Sequence, residues 1–361
     1  MKNNNKQRDG KIMFAKGLLG GHGFPIPIES LFLAVAASAF QPSNLSTAET
    51  KLMLRILHHP DTLAHEPPLN NPEQPDRLKP LLKTLADKHS RQEIDLLEAP
   101  PARFCDLRKI HSPGYVEGLE SACLAGRPRF MSNDCPLDTG SSEAILAAAG
   151  LALALGREVA AGRTALALTR PPGHHAAPQK AEGFCFTNHG ASAAWSLRQS
   201  LPGARILHVD IDLHHGNGTQ AFVLQDPAAC LVSLHAHPLQ LYPGSGFAEE
   251  TGGGEGQGIL INRPLPEGIE GEKWLAILKN ALDEALLRFG PPDAILVAFG
   301  LDGHRDDPFA FFRLDDRDYL AAYDLLQIWA KLHAQGRIGF HLEGGYNSAV
   351  LERVIEGLTH L

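Results

Sequence analysis

An α/β fold, a single open parallel β-sheet with helices on both faces, is what this chain predicts, and three observations carry the prediction. Short apolar runs alternate with helical periodicities through most of the 361 residues, the pattern of strand–helix–strand crossovers. Five of those runs stop at clusters of polar, metal-capable residues. They are TALALTR before Pro171-Pro172-Gly173-His174-His175, ILHVDIDLHH (206–215), CLVSLHAHP (230–238), AILVAFGLDGH (294–304) and IGFHLEGGYN (338–347). In an open parallel sheet, catalytic groups gather outside the carboxyl ends of the strands. Five such ends therefore describe one shared site, and an enzyme.

From Leu54 the chain opens with a strand-like LRILHHP, followed by the Pro/Asn-rich loop 66–77. Helical spacing follows in RLKPLLKTLADKH, SPGYVEGLESACLAG, residues 142–162, NHGASAAWSLRQSL, 272–290 and 317–336. Gly126, Gly162, Gly290 and Gly336 stand where helix C-caps are expected. With neither a repeat nor a linker after residue 52, residues 53–361 form one expected domain. Residues 1–52 differ: a polar, basic start and a broken stretch precede a ten-residue apolar run, Leu31 to Phe40. They are expected to be a disordered or loosely docked extension of a cytoplasmic protein. The alternative is an exported protein whose residues 1–40 act as a signal peptide, against which Glu29 and the broken stretch count.

Composition narrows the class. A hydrophobic content of 43% supplies a full core, and a formal charge of −8 argues against nucleic-acid or anionic-membrane partners. The five scattered cysteines lack a Cys-x-x-Cys pair, which argues against a disulfide scaffold or a zinc ribbon.

In Asp210-Ile211-Asp212-Leu213-His214-His215, alternation along an extended strand puts residues 210, 212 and 214 on one side. Asp212 and His214 can then reach one ion, with Asp302 from a neighbouring strand end as third ligand. Two carboxylates and an imidazole leave room for water and substrate, as a catalytic zinc site does. The tandem His174-His175 follows a rigid Pro/Gly turn and suits acid–base work on water. Asp210 and Asn217 are the expected partners of its outer ring nitrogens. Tyr346 follows a Gly-Gly turn and can donate to an oxyanion. Taken singly, each residue is as easily structural; the strand-end clustering favours chemistry.

With these residues in view, the chain resembles the histone deacetylase superfamily, including bacterial deacetylase-like amidohydrolases and acetylpolyamine amidohydrolases. The resemblance spans about residues 54–350 and rests on RPPGHHA, GFCFTNHG, DIDLHHGNGTQ, SLHAHP, LYPGSG, GLDGHRDDP and EGGYN. It implies metal-dependent removal of an acyl group from an amine, with Zn2+ (or another divalent ion such as Fe2+) on Asp212, His214 and Asp302. It places the acid–base pair at His174 and His175 and the oxyanion donor at Tyr346. A structural K+ or Na+ would involve Asp210, Asp212, His214, Ser233 and Leu234. Gly183, Phe184 and Tyr242 would line a substrate tunnel, Asp134 would grip the substrate at the rim, and Phe309 would shape the mouth.

Departures from the family pattern include Asn71-Pro-Glu-Gln-Pro in the early loop, Asn217 in place of an Asp, and Thr187-Asn188-His189-Gly190, in which His189 has no assigned role. The amide partner should leave one histidine less basic than the other. The implied partners are a small acetylated amine or an acetyl-lysine peptide or protein, with a homo-oligomer compatible. The 306–314 and 248–252 segments look closer to the acetylpolyamine branch, but its long insertion is missing. Two rival readings stay open: an arginase-like binuclear hydrolase using Asp306 and Asp307, and a catalytically silent acetyl-ligand or partner-binding protein.

Overall fold

The computed structural model describes residues 54–125, 129–253 and 258–361, all within one unit of the chain. The extension 1–52 and the Gly126 cap lie outside them. The strands are β1 (Arg55–His58), β2 (Asp95–Glu98), β3 (Arg129–Ser132), β4 (Cys135–Leu137), β5 (Ala165–Ala167), β6 (Ile206–Asp210), β7 (Ala229–Ala236), β8 (Leu260–Leu265), β9 (Ala294–Phe299) and β10 (Ile338–Leu342). Eight of them form one sheet in the order β2-β1-β5-β10-β9-β6-β7-β8, and every adjacent pair is parallel. β3 and β4 make a separate antiparallel pair.

The helices are α1 (Lys79–Ser90), α2 (Phe104–Leu107), α3 (Pro113–Leu124), α4 (Ser141–Ala160), α5 (His189–Ser200), α6 (Asn217–Val223), α7 (Gly271–Phe289), α8 (Asp316–His333) and α9 (Ser348–Leu358). Alternate residues of the inner strands face two helical layers. Leu207, Val209, Ile295, Val297, Phe299, Phe340 and Leu342 pack with α1, α7, α8 and α9. Ala165, Ala167, Ile206, Ala294 and Leu296 pack on α4 and α5. Covering both faces explains why β6, β9 and β10 are buried along their whole length and are written as mostly apolar runs, interrupted by His208 and Asp210 in β6 and His341 in β10. No helix among the described residues is long and apolar enough to cross a membrane.

The strands that sequence periodicity missed have a physical reason to be missed. β2 and β8 are the two edges of the sheet, and each mixes exposed and buried positions or carries Arg263 and Pro264, as edge strands tolerate. The amphipathic α9 was also not anticipated. The expected long strand through residues 206–215 ends at Asp210. Ile211 still donates from its backbone to Ala298 at 3.1 Å, and Ile211 and Leu213 stay in the core. The alternation that turns Asp210, Asp212 and His214 to the other side therefore outlasts the strand.

Candidate active site

Asp212 and His214 follow β6 and Asp302 follows β9, so neighbouring strand ends meet. Their ligand atoms lie within 4.8 Å of one another, and all three residues are buried. His214 Nδ1 is 2.9 Å from Asp302 Oδ2 and 3.3 Å from Asp212 Oδ1. Backbone donors orient the carboxylates: Leu213 N–H to Asp302 Oδ1 at 2.8 Å, and Gly344 N–H to Asp212 Oδ2 at 2.8 Å. Burial and the adjoining Asp212 push the Asp302 carboxyl up to about 7. Burial works against a charged His214, yet its hydrogen bonds to Asp212 and Asp302 raise it to about 9. Among the described residues no Lys or Arg side chain pairs with either carboxylate. Two buried acids whose only cationic neighbours are histidines fit a divalent cation well, because burying such charge without full compensation is costly.

The Pro-Gly turn after β5 presents the two histidines. His174 Nδ1 lies 3.0 Å from Asp210 Oδ2, and His175 Nδ1 lies 2.7 Å from Asn217 Oδ1, so both expected partners are in place. Burial opposes a charge on His174, but Asp212 and Asp210 outweigh it and hold its pKa well above the usual imidazole value. Burial, with His174 and His214 nearby, holds His175 well below it. The carboxylate-paired and amide-paired rings thus titrate far apart.

Tyr346 sits beyond β10, its backbone N–H donating to Asp307 Oδ2 at 2.6 Å. Arg77 lies 4.8 Å over its ring and donates to the carbonyls of Gly345 and Glu343, both at 2.6 Å. Burial pushes the phenol well above its usual pKa, so it remains a hydrogen-bond donor at neutral pH.

Above these groups opens a cavity of about 260 Å³, lined by His174, His175, His214, Tyr346 and the five expected rim and wall residues. Asp134 Oδ2 accepts from Gly183 N–H at 2.8 Å, tying the β3–β4 turn to the tunnel wall. Gly183 and Phe184 both have positive φ, 56° and 66°. A Cβ on Gly183 would come within 2.2 Å of the His175 ring, so only glycine fits there. Phe309 packs edge-on to His214 and Tyr346, at 5.2 and 5.3 Å, and Tyr242 stands 5.0 Å from His175. Of the five residues expected around a monovalent cation, the sheet register brings two together. Asp210 is in register with Ser233, which precedes Leu234 on β7, although Ser233 Oγ is already shared with His235 at 2.8 Å.

Two groups, Glu343 and Glu73, escaped sequence reasoning, and a third, Asp307, was named there only for the binuclear reading. Glu343 is wholly buried; its Oε2 accepts from the backbone N–H groups of Gly173 and His174 at 2.6 and 3.0 Å, and its Oε1 meets His341 at 2.8 Å. Glu73, inside the variant early loop, bridges buried Arg77 and Arg170 at 2.7 and 3.0 Å. Asp307 holds Tyr346 as above and also accepts from Phe309 N–H at 3.0 Å. Their sequence neighbours gave no signal, since Glu73 stands between Pro72 and Gln74 and Asp307 between Asp306 and Pro308. His189 bonds the Pro171 carbonyl at 2.9 Å and so braces the turn before the histidines. Asp306 is exposed and faces His304 and Arg353, so neither acid of the binuclear reading joins the cluster.

Residues 71–361 match the family model of the histone deacetylase domain. The chain is 33% identical over 297 residues to a probable deacetylase of Archaeoglobus fulgidus, covering 81% of each. It is 35% identical over 281 residues to the histone deacetylase-like amidohydrolase of Pseudomonas aeruginosa, covering 77% of this chain and 72% of that one. The crystal structure of an acetylpolyamine aminohydrolase from Burkholderia pseudomallei matches with a TM-score of 0.73 at 27% identity, over 85% of this chain and 98% of that one. By this family match and these relatives, the chain belongs to the histone deacetylase superfamily.

Proposed function

We propose that residues 53–361 form a metal-dependent deacetylase that removes an acetyl group from an amine carried on an unbranched aliphatic chain. The observation that supports this most is the Asp212–His214–Asp302 cluster, joined through His214 to the cavity that the histidine pair and Tyr346 also line. A divalent ion, zinc or iron, held by Asp212, His214 and Asp302 would supply Lewis acidity to the amide carbonyl and acidify a water. A potassium or sodium ion beside Asp210, Asp212, His214, Ser233 and Leu234 would be structural.

His175 donates through Nδ1 to Asn217, which leaves Nε2 free to take a proton from the attacking water. It returns that proton to the leaving nitrogen, so acetate and the free amine result. His174, paired with Asp210 and facing Asp212, stays an imidazolium and stabilises the negative charge that develops beside it. The Tyr346 hydroxyl donates to the carbonyl oxygen as it becomes an oxyanion.

The walls of Phe184, Tyr242 and Phe309 suit a methylene chain, and Asp134 offers a carboxylate to a second ammonium or to a peptide N–H. N-acetylputrescine and acetyl-lysine both meet that description. The test is hydrolysis of each by the zinc-loaded protein, with Asp212→Ala as blank. Activity that disappears in the variant is expected, and the ratio of the two rates ranks the substrates. Bound metal with no turnover of either would overturn the reading in favour of a silent acetyl-ligand protein.

A further inference from the structure

A second cavity, of about 370 Å³, opens between α5, α6 and the loop after α2. It is more than twice the ~150 Å³ that accommodates a benzene ring. Ile110, Ala194, Trp195, Phe222 and Val223 make its walls apolar, and His208 of β6 lines it. His208 is only 6% exposed, and among the described residues no hydrogen bond reaches either of its ring nitrogens. The His208 nitrogens are not among the fully enclosed unsatisfied atoms, so this ring, bonded to no protein group, leaves its polar edge to whatever enters the cavity; His215, His235 and His341 are by contrast bonded within the protein. Burial also lowers the His208 pKa to about 3, so the ring offers one donor and one acceptor and no charge.

We infer that this cavity is a binding site for a small, neutral, flat aromatic molecule bearing a hydroxyl group. The hydroxyl can donate to or accept from either tautomer of His208, while the ring fills the space between Trp195 and Phe222. Cations are disfavoured: Lys109 and Arg198 line the opening, and the Asp226 carboxylate is already paired with Arg198. That separates the site from one for the polyamine-like substrates considered above. It also lies behind the catalytic turn. Thr219, another lining residue, donates its backbone N–H to the His174 carbonyl at 3.0 Å, so an occupant contacts a residue of α6 that is itself bonded to the turn carrying the histidine pair.

The test is titration of the metal-loaded full chain with 2-naphthol, and separately with naphthalene, followed by NMR at the Trp195 indole N–H and the Ala194 methyl. Saturable shifts at both are expected, with naphthalene binding about tenfold more weakly, the worth of one neutral hydrogen bond. His208→Leu should abolish that difference, and Ala191→Phe, which fills the cavity, should abolish binding. Shifts confined to Phe184 and Tyr242, or equal affinity of the wild-type protein for the two probes, would overturn the assignment. The wild-type comparison decides the matter even if a variant fails to fold.

Discussion

Replacing Glu343 by Gln tests whether the turn that carries the proposed acid–base pair, His174 and His175, is held by charge. The carboxylate is wholly buried and accepts from Gly173 N–H, His174 N–H and His341. Gln conserves the shape and one acceptor oxygen but removes the charge. A hydrogen bond to a charged group contributes about 1.5–3 kcal/mol, against about 0.5–1.5 for a neutral one. Downgrading the two backbone bonds therefore costs roughly 2–3 kcal/mol of stability by that scale. With the turn loosened, kcat is expected to fall about 10–100-fold while KM and bound metal hold, as when a support of a catalytic ligand is lost. Burial alone would raise the Glu343 carboxyl, but the His341 hydrogen bond and the His174 charge hold it below its ordinary 4.5. Its stabilisation is thus fully present above pH 4.5 and drains away as pH falls through the lower folded value. The Gln variant should show a flatter stability profile over that acid range. The assay is kcat and KM with metal analysis, and urea unfolding from pH 3 to 7. Unchanged kcat together with an unchanged unfolding midpoint would refute the clamp.

Three further outcomes are expected. Tyr346→Phe should lower kcat by ~10²–10³ with little change in KM, the cost of one oxyanion donor; near-full turnover would remove Tyr346 from the mechanism. In Gly344→Ala the new Cβ would stand 2.5 Å from Asp302 Oδ2 and 2.6 Å from Asp212 Oδ2, so equilibrium dialysis should show weakened zinc binding in a folded protein. Arg77→Leu leaves Glu73 with Arg170 as its remaining partner and frees the carbonyls of Glu343 and Gly345. Calorimetry should then register a loss of about 3–5 kcal/mol, as for other broken buried pairs.

The inner sheet was legible because strands covered on both faces must be largely apolar, and each ends close to its polar cluster. That is why β6, β9 and β10, and the side chains of Asp212, His214 and Asp302, could be anticipated from periodicity alone. The edges β2 and β8 obey no such constraint, and their half-exposed residues look like loop. That the histidine pair takes Asp210 and Asn217 as partners was foreseen from chemistry, but which histidine takes which came from the structure. The supporting acids were not: Glu73 and Glu343 work through partners 97 and 170 positions away, Arg170 and Gly173, and no local pattern records such a reach. His208 was likewise invisible, as one polar residue inside an apolar strand.

The way the cavity is assembled bears on how this scaffold could be redirected. Asp212 and His214 are interleaved with Ile211 and Leu213, which are anchored in the core, so they cannot drift without disturbing the sheet. Asp134 and Tyr242 come from loops that carry none of the proposed reacting groups, whereas Phe184 shares its loop with His174 and His175 and Phe309 shares its loop with Asp302. Selection for a wider or narrower cavity can therefore act most freely through the loops of Asp134 and Tyr242, while the other two walls change only at the cost of the histidine turn or the Asp302 loop.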